Sequence, residues 1–139
     1  MNSKKYYKLS DKDLWYKIES DFGNSGGIYK LFCFDNNNDL IKINRLLKTD
    51  QNGILYIGKA ISFLDRTITL KKSISPDYIS ENHECGFRYK SSELIKNKFP
   101  FQNLHIELIG CEEIHLKEKE LLDNYEKEFG ELPPLNRNK

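Results

Sequence analysis

Two apolar stretches, GIYKLFCF at residues 27–34 and ILYIG at residues 54–58, decide how this chain folds. Both are rich in aromatic and branched residues, which favour strands because such side chains pack well on a pleated surface. The run DNNND at 35–39 forms a turn or loop by composition, and residues 49–53 return the chain to the second stretch. The two stretches therefore predict two strands of a small sheet.

Periodicity in the rest of the chain predicts helices around this sheet. Helical spacing of apolar residues recurs at 10–20, from residue 61 to the break at Ser75-Pro76, at 89–98 and at 112–129. Alternation at 104–109 predicts a third strand. The expected fold is α+β, with a small three-stranded antiparallel sheet flanked by helices. We expect a single domain over residues 1–139, with an N-terminal helical extension at 1–25 and an insertion at 35–52.

The charge balance limits the class of partner only weakly. The chain has 22 basic and 21 acidic residues, which leaves a net charge of +1. This value neither supports nor excludes a nucleic-acid partner, but it excludes a protein that wraps DNA by its overall charge. A DNA partner would need a local basic face.

The cysteines and the apolar runs bear on the compartment. Cys33, Cys85 and Cys111 are an odd number and far apart, which favours reduced thiols in a cytoplasm. His83 and Cys85 lack a second Cys/His pair that would complete a zinc site. No apolar run approaches membrane-spanning length, so the expected location is cytoplasmic.

The last helix contains the sharpest single-residue signal, the position of Glu118. At about 100° per residue, one face of this helix is apolar and has Glu118 near its middle. A carboxylate there is costly to desolvate unless it meets a cation or a metal ion. A salt bridge to lysine or arginine and a functional site are equally open explanations. The apolar residues of this face are Ile114, Leu121, Leu122, Tyr125 and Phe129.

Four other polar residues have an ordinary and a functional interpretation. Arg66 lies between apolar residues, where an arginine is often only packed on the surface, but a fixed guanidinium also offers two parallel donors to a phosphate. Tyr29 and Tyr56 are ordinary sheet residues by position, and Asn136 is an ordinary tail residue. Taken singly, none of the four indicates a function.

Their order and spacing resemble the GIY-YIG nuclease family. The tripeptides at 27–29 and 56–58 are the two motifs that define it, and Arg66 follows Tyr56 by ten residues. The stretch EKELLDNY at 118–125 is similar to the family's helix, in which the metal-binding glutamate precedes an aliphatic pair and an aromatic residue. HECG at 83–86 and PPLN at 133–136 resemble its histidine motif and its final asparagine. The resemblance covers residues 27–136.

This resemblance implies a metal-dependent endonuclease that hydrolyses DNA, a small restriction-type or mobile-element enzyme. Glu118 would hold one Mg²⁺, with Mn²⁺ as an alternative, and Arg66 would neutralise charge on the phosphate. Tyr29 would activate water, Tyr56 and His83 would assist, and Asn136 would complete the polar set. A free tyrosine titrates near pH 10, so a base at neutral pH needs a lowered pKa.

DNA recognition would have to come from the domain itself. Because 26 residues lie between Tyr29 and Tyr56, the insertion at 35–52 is the candidate. Its residues Lys42, Arg45 and Lys48 are expected to contact DNA from a tip beside the site, together with Lys59, although such residues also form ordinary solvated loops. A dimer is possible. The rival function is a non-catalytic nucleic-acid-binding or assembly protein that retains the fold.

Overall fold

The computed structural model describes residues 4–79 and 83–137, which form an antiparallel sheet with helices on both faces. The strands are β1 (Lys4–Lys8), β2 (Gly27–Cys33), β3 (Ile43–Asn44), β4 (Thr49–Asp50), β5 (Tyr56–Ala60) and β6 (Leu104–Gly110). The helices are α1 (Leu14–Phe22), α2 (Phe63–Ile74), α3 (Glu84–Lys90), α4 (Glu93–Lys98) and α5 (Ile114–Phe129). Phe101–Asn103 forms a short 3₁₀ turn. None of the helices within these residues is long and apolar enough to cross a membrane.

The main sheet has four strands, in the order β1–β6–β2–β5, and all neighbours are antiparallel. The α+β class is confirmed, but the prediction of three strands is wrong. The missed strand is β1, whose sequence KKYYK lacks a regular apolar alternation. It lies at an edge of the sheet, where lysines discourage pairing with another chain. The N-terminal segment is therefore a strand followed by a helix.

Alternation along the strands divides the core between the two faces of the sheet. Tyr29 and Leu31 of β2 point to one face and pack in the larger cluster, which includes residues of α1, α2 and α3. Ile28 points to the opposite face and packs against α5, with Leu122 and Tyr125 fully or nearly buried. The apolar stripe predicted for α5 is thus confirmed, and the helix ends at Gly130 in a left-handed conformation.

Three helix boundaries differ from the predicted ones, and at two of them a serine side chain caps the helix. Helix α1 begins at Leu14, not at Ser10. Helix α2 begins at Phe63, where the Ser62 hydroxyl accepts a hydrogen bond from the backbone N–H of Asp65; Ile61, assigned to its apolar face, is 75% exposed. The predicted helix at 89–98 is two helices, α3 and α4, because the Ser92 side chain caps a new helix after Lys90.

The insertion at 35–52 folds back onto the C-terminal end of α5. Strands β3 and β4 form a hairpin, and the buried Asp50 carboxylate accepts a hydrogen bond of 2.8 Å from the Tyr125 hydroxyl. Arg45 donates from Nη2 to the Leu132 carbonyl at 2.6 Å, and Lys48 lies 2.7 Å from the Glu128 carboxylate. These contacts attach the hairpin to one end of the helix.

Candidate functional site

A cleft of about 230 Å³ opens at the β5 edge of the sheet, where α2, α5 and the C-terminal segment meet. Five of the six predicted catalytic residues line it, and the sixth, His83, lies behind Tyr29 with 1% of its surface exposed. The structure therefore brings the residues of the separate sequence motifs close together in space. The lining residues are Tyr29, Tyr56, Lys59, Arg66, Glu84, Glu118, Leu122, Asn136 and Arg137.

The two glycines of the tripeptides permit close approaches that build this edge. Gly58 lies opposite Tyr29 in the β2–β5 register, and the tyrosine ring crosses directly over it. A Cβ atom on Gly58 would lie 2.5 Å from Cζ of Tyr29 and 2.7 Å from Tyr56. At Gly27, a Cβ atom would lie 2.1 Å from the carbonyl oxygen of Ile109 on β6. Side chains at either position would push the strands or the tyrosine out of place.

Tyr29 is the centre of a hydrogen-bonded group. Its hydroxyl oxygen lies 2.7 Å from Nε2 of His83 and accepts a hydrogen bond of 3.3 Å from Nε of Arg66. On the other side of the imidazole, Nδ1 of His83 accepts from the backbone N–H of Cys85 at the start of α3. A neutral imidazole that accepts at Nδ1 carries its proton on Nε2, so His83 donates to Tyr29. The phenol oxygen thus accepts two hydrogen bonds, and its own O–H is directed away from His83 and Arg66.

Burial keeps the two tyrosines and the histidine of this group uncharged. It raises the pKa of Tyr29 well above its ordinary value, and the nearby positive charge of Arg66 opposes that rise. Burial also raises the pKa of Tyr56 to about 12. Burial, reinforced by the Arg66 charge, lowers the pKa of His83 to about 3. At neutral pH both tyrosines are phenols and His83 is neutral.

The low pKa of His83 predicts a loss of stability in acid. Between about pH 6.5 and pH 3 the unfolded chain binds a proton at His83 that the folded protein does not, so the free energy of unfolding falls as the pH falls, by at most about 1.4 kcal/mol per pH unit. His83→Asn keeps a side-chain oxygen that caps α3 but removes this titration. Urea unfolding at several pH values should give a flatter acid limb for the variant; equal slopes would contradict the prediction.

Glu118 projects from α5 into the cleft, with 19% of its side chain exposed. Its carboxylate lies 3.6 Å from Nζ of Lys59, which is longer than a hydrogen bond, and the same Nζ lies 2.9 Å from Nδ1 of His115. The sequence left a salt bridge and a functional site open for Glu118. The structure is compatible with both, because Glu118 has a lysine partner and lines the same cleft as the tyrosines and Arg66. Within residues 4–79 and 83–137, no three His, Cys, Asp or Glu side chains cluster as a metal site.

Asn136 uses both ends of its amide to hold the edge strand. Its Oδ1 accepts from the N–H of Ile57, and its Nδ2 donates to the carbonyl of Ile57, both at 2.9 Å. The adjacent N–H of Leu135 donates to the carbonyl of Leu55. The segment thus pairs with the outer edge of β5 in place of a further strand. These contacts make Asn136 a positioning residue for β5 and its Tyr56.

The residues predicted to contact DNA divide into two groups. Lys59 lines the cleft, but Lys42, Arg45 and Lys48 do not. The expected place of the insertion tip beside the site is wrong, because the hairpin binds the far end of α5, where Phe129 lies about 16 Å along the helix axis from Glu118 at 1.5 Å per residue. Arg45 instead pairs with Glu131 at 3.1 Å. A DNA contact by Lys42, which is exposed, stays a prediction.

The sequence did not single out three polar residues at or beside the cleft. Glu84 and Arg137 line its mouth and lie 3.4 Å apart. Each directly follows a predicted residue, His83 or Asn136, and that adjacency was the available signal. His115 contacts Lys59 from the first turn of α5, three residues before Glu118, a spacing that places the two on one helix face.

Comparisons with protein-family models, with curated proteins and with solved structures found no match to this chain. The resemblance to the GIY-YIG nucleases therefore rests on the residues and their order, and it stays a prediction.

Proposed function

We propose that this protein is a metal-dependent endonuclease that hydrolyses phosphodiester bonds of DNA. The observation that carries the proposal is the group around Tyr29, with Arg66 and His83 on its hydroxyl and Glu118 across the same cleft. A phenol that accepts two donors, a guanidinium and a carboxylate in one cleft form a set suited to phosphoryl chemistry. GIY-YIG nucleases would be the corresponding family.

In the proposed reaction, water attacks the phosphorus atom, a new P–O bond forms and the bond to the 3′ oxygen breaks. Arg66 neutralises charge that develops on the phosphoryl oxygens. Tyr29 orients the water by donating its phenol O–H to the water oxygen, and it stays protonated because burial raises its pKa well above the ordinary value. Solvent protonates the leaving 3′ oxygen, and the proton of the attacking water passes to a phosphoryl oxygen. His83 does not take this proton, because Nε2 already carries one and Nδ1 caps α3. Tyr56, whose ring centroid lies 5.9 Å from that of Tyr29, forms the wall beside the water.

The donor set fits a Mg²⁺ ion that is held only in part by protein. Of the two carboxylates that line the cleft, Glu84 pairs with Arg137 at 3.4 Å, whereas the 3.6 Å contact of Glu118 with Lys59 leaves the Glu118 oxygens accessible. Mg²⁺ commonly binds through one or two carboxylates, substrate phosphates and retained waters, so one protein ligand is sufficient. When bound, the ion would supply positive charge at the scissile phosphate and at the leaving oxygen. Glu118 would then exchange Lys59 for the ion.

A plasmid assay tests the proposal. Supercoiled plasmid is incubated with the full chain and Mg²⁺, and the products are separated on an agarose gel. Nicked circles or discrete fragments are expected with Mg²⁺ and none with excess EDTA. Structured RNA under the same conditions tests whether the enzyme cleaves DNA in preference to RNA. Plasmid that is bound in a gel-shift assay but stays intact would reject the nuclease and favour the rival, a binding protein that retains the fold.

A further inference from the structure

A second cavity, of about 780 Å³, lies on the face of the sheet that α5 covers only in part. Helix α5 packs over Ile28, Ile57 and Ile109, at the end of the sheet where β2 begins. Beyond these residues, the side chains on the same face line the cavity. We call this surface the open sheet face, and its residues are Lys4, Tyr6, Lys30, Phe32, His105 and Glu107.

The open sheet face is a continuous aromatic surface. The ring centroids of Phe32 and His105 lie 6.0 Å apart and the rings are nearly parallel, with an angle of 23° between them. Tyr6 packs edge-on against Phe32, and its side chain is 59% exposed. Phe34 continues the row on the other side of His105, and the centroids of these two rings lie 4.7 Å apart. Phe32 is only 9% exposed and Phe34 and His105 are half-buried, so Tyr6 is the exposed ring on which a planar ligand can stack.

The charges on this face favour an anionic partner. Glu107 is 8% exposed and lies between two lysines. Its carboxylate oxygens are 3.8 Å from Nζ of Lys4 and 3.9 Å from Nζ of Lys30. Lys8 points to the same face, because it lies two residues after Tyr6 and opposite His105 in the register. Three lysines against one carboxylate leave the described part of this face positive. The amides of Asn38 and Asn52 also line the cavity and can hydrogen-bond to the edges of bases.

We propose that the open sheet face binds single-stranded nucleic acid. Unpaired bases would stack on Tyr6 and against the half-buried rings of Phe34 and His105, and Lys4, Lys8 and Lys30 would contact the phosphates. Aromatic platforms flanked by basic side chains are the general solution for unpaired strands, because every base has a π face whatever its identity. A duplex hides these faces inside the base stack, so the face should prefer single strands. This binding uses the sheet face opposite Tyr29 and does not require cleavage.

The test is the fluorescence anisotropy of a short fluorescein-labelled oligothymidylate, titrated with the full chain in EDTA over a series of salt concentrations. Tyr6→Ala should weaken binding by about tenfold or more, the usual effect of removing one stacked aromatic residue. Tyr6→Phe should bind as the wild type does, because it keeps the ring. The matched control is Tyr16→Ala, which removes a tyrosine that is 76% exposed on α1. If Tyr6→Ala is misfolded by circular dichroism, Tyr6→Leu replaces it.

The lysines are tested through the salt dependence. The double variant Lys4→Gln/Lys8→Gln should lower the slope of log K against log salt by about 0.7 for each phosphate of the single strand that the protein no longer neutralises. Lys12→Gln, exposed and outside the cavity, should not change it. Wild-type affinity in Tyr6→Ala, an unchanged slope in the lysine variant, or equal competition by duplex DNA or by thymidine monophosphate would each overturn the proposal. Because the titrations contain EDTA, the results for the tyrosine and lysine variants do not depend on whether the protein cleaves plasmid DNA.

Discussion

Glu118→Gln is expected to abolish Mg²⁺-dependent cleavage of plasmid DNA, with a loss in rate of at least about a thousandfold, while DNA binding in EDTA persists. The amide keeps the shape of the side chain but lacks the charge that a divalent cation requires. Binding should be as tight as in the wild type or tighter, because the change removes a negative charge from the cleft and releases Lys59. Cleavage is measured from the rate of nicking, and binding from a gel shift.

The matched control is Glu120→Gln on the same helix. Glu120 is more exposed than Glu118, with 56% of its side chain accessible, and it lies 3.9 Å from Lys117 and outside the cleft. This variant should cleave at the wild-type rate. If Glu118→Gln also cleaves near that rate, Glu118 is only the partner of Lys59 and the metal role assigned to it is wrong. Loss of activity in both variants would point to a general effect on α5.

The place of Glu118 could be predicted because helical periodicity is a local property. Glu118 lies on the stripe that Leu122 and Tyr125 define, and the structure buries that stripe against the sheet. The prediction that Tyr29 and Tyr56 lie on two strands of one sheet had another local basis, the aromatic and branched composition of residues 27–34 and 54–58, and the antiparallel pairing of β2 with β5 agrees with it. In these two cases the signal lay within one helix or one pair of strands.

The strand β1 and the docking of the insertion could not be predicted in the same way. The sequence KKYYK becomes a strand because β6 offers it a free edge, with Lys4 opposite Ile109 and Lys8 opposite His105, a partner about a hundred residues away. The hairpin of the insertion is placed by Arg45 with Leu132 and by Asp50 with Tyr125. These are long-range contacts that leave no periodic pattern in the local sequence.

The hydrogen bonds of Asn136 and His83 also depend on tertiary contacts. Their place in the motifs predicts that both residues act directly on the substrate. In the structure, the Asn136 amide is satisfied by Ile57, and His83 contacts Tyr29 from the N-cap position of α3. Asn136 therefore positions β5, and His83 positions Tyr29. Spacing in the sequence could not distinguish such positioning from direct contact with the substrate.

Arg66→Ala is expected to lower the rate of cleavage by about 10³- to 10⁵-fold, the range found for arginines that stabilise phosphoryl transfer. Part of this loss should come through Tyr29, because Nε of Arg66 donates to the phenol oxygen and its charge opposes the rise in the pKa of Tyr29. Arg66→Lys keeps the charge but not the planar pair of donors, so its rate should fall between those of the wild type and Arg66→Ala.

A double-mutant cycle with Tyr29→Phe separates the two contributions of Arg66. If Arg66 acts on the phosphate alone, the effects of Arg66→Ala and Tyr29→Phe on the activation free energy should add. If it also prepares the phenol, Arg66→Ala should cost less in the Tyr29→Phe protein, because the group that it prepares is already absent. The hydrogen bond of 3.3 Å leads us to expect this smaller effect. Near-wild-type cleavage by Arg66→Ala would remove Arg66 from the mechanism, and additive effects would confine it to the phosphate.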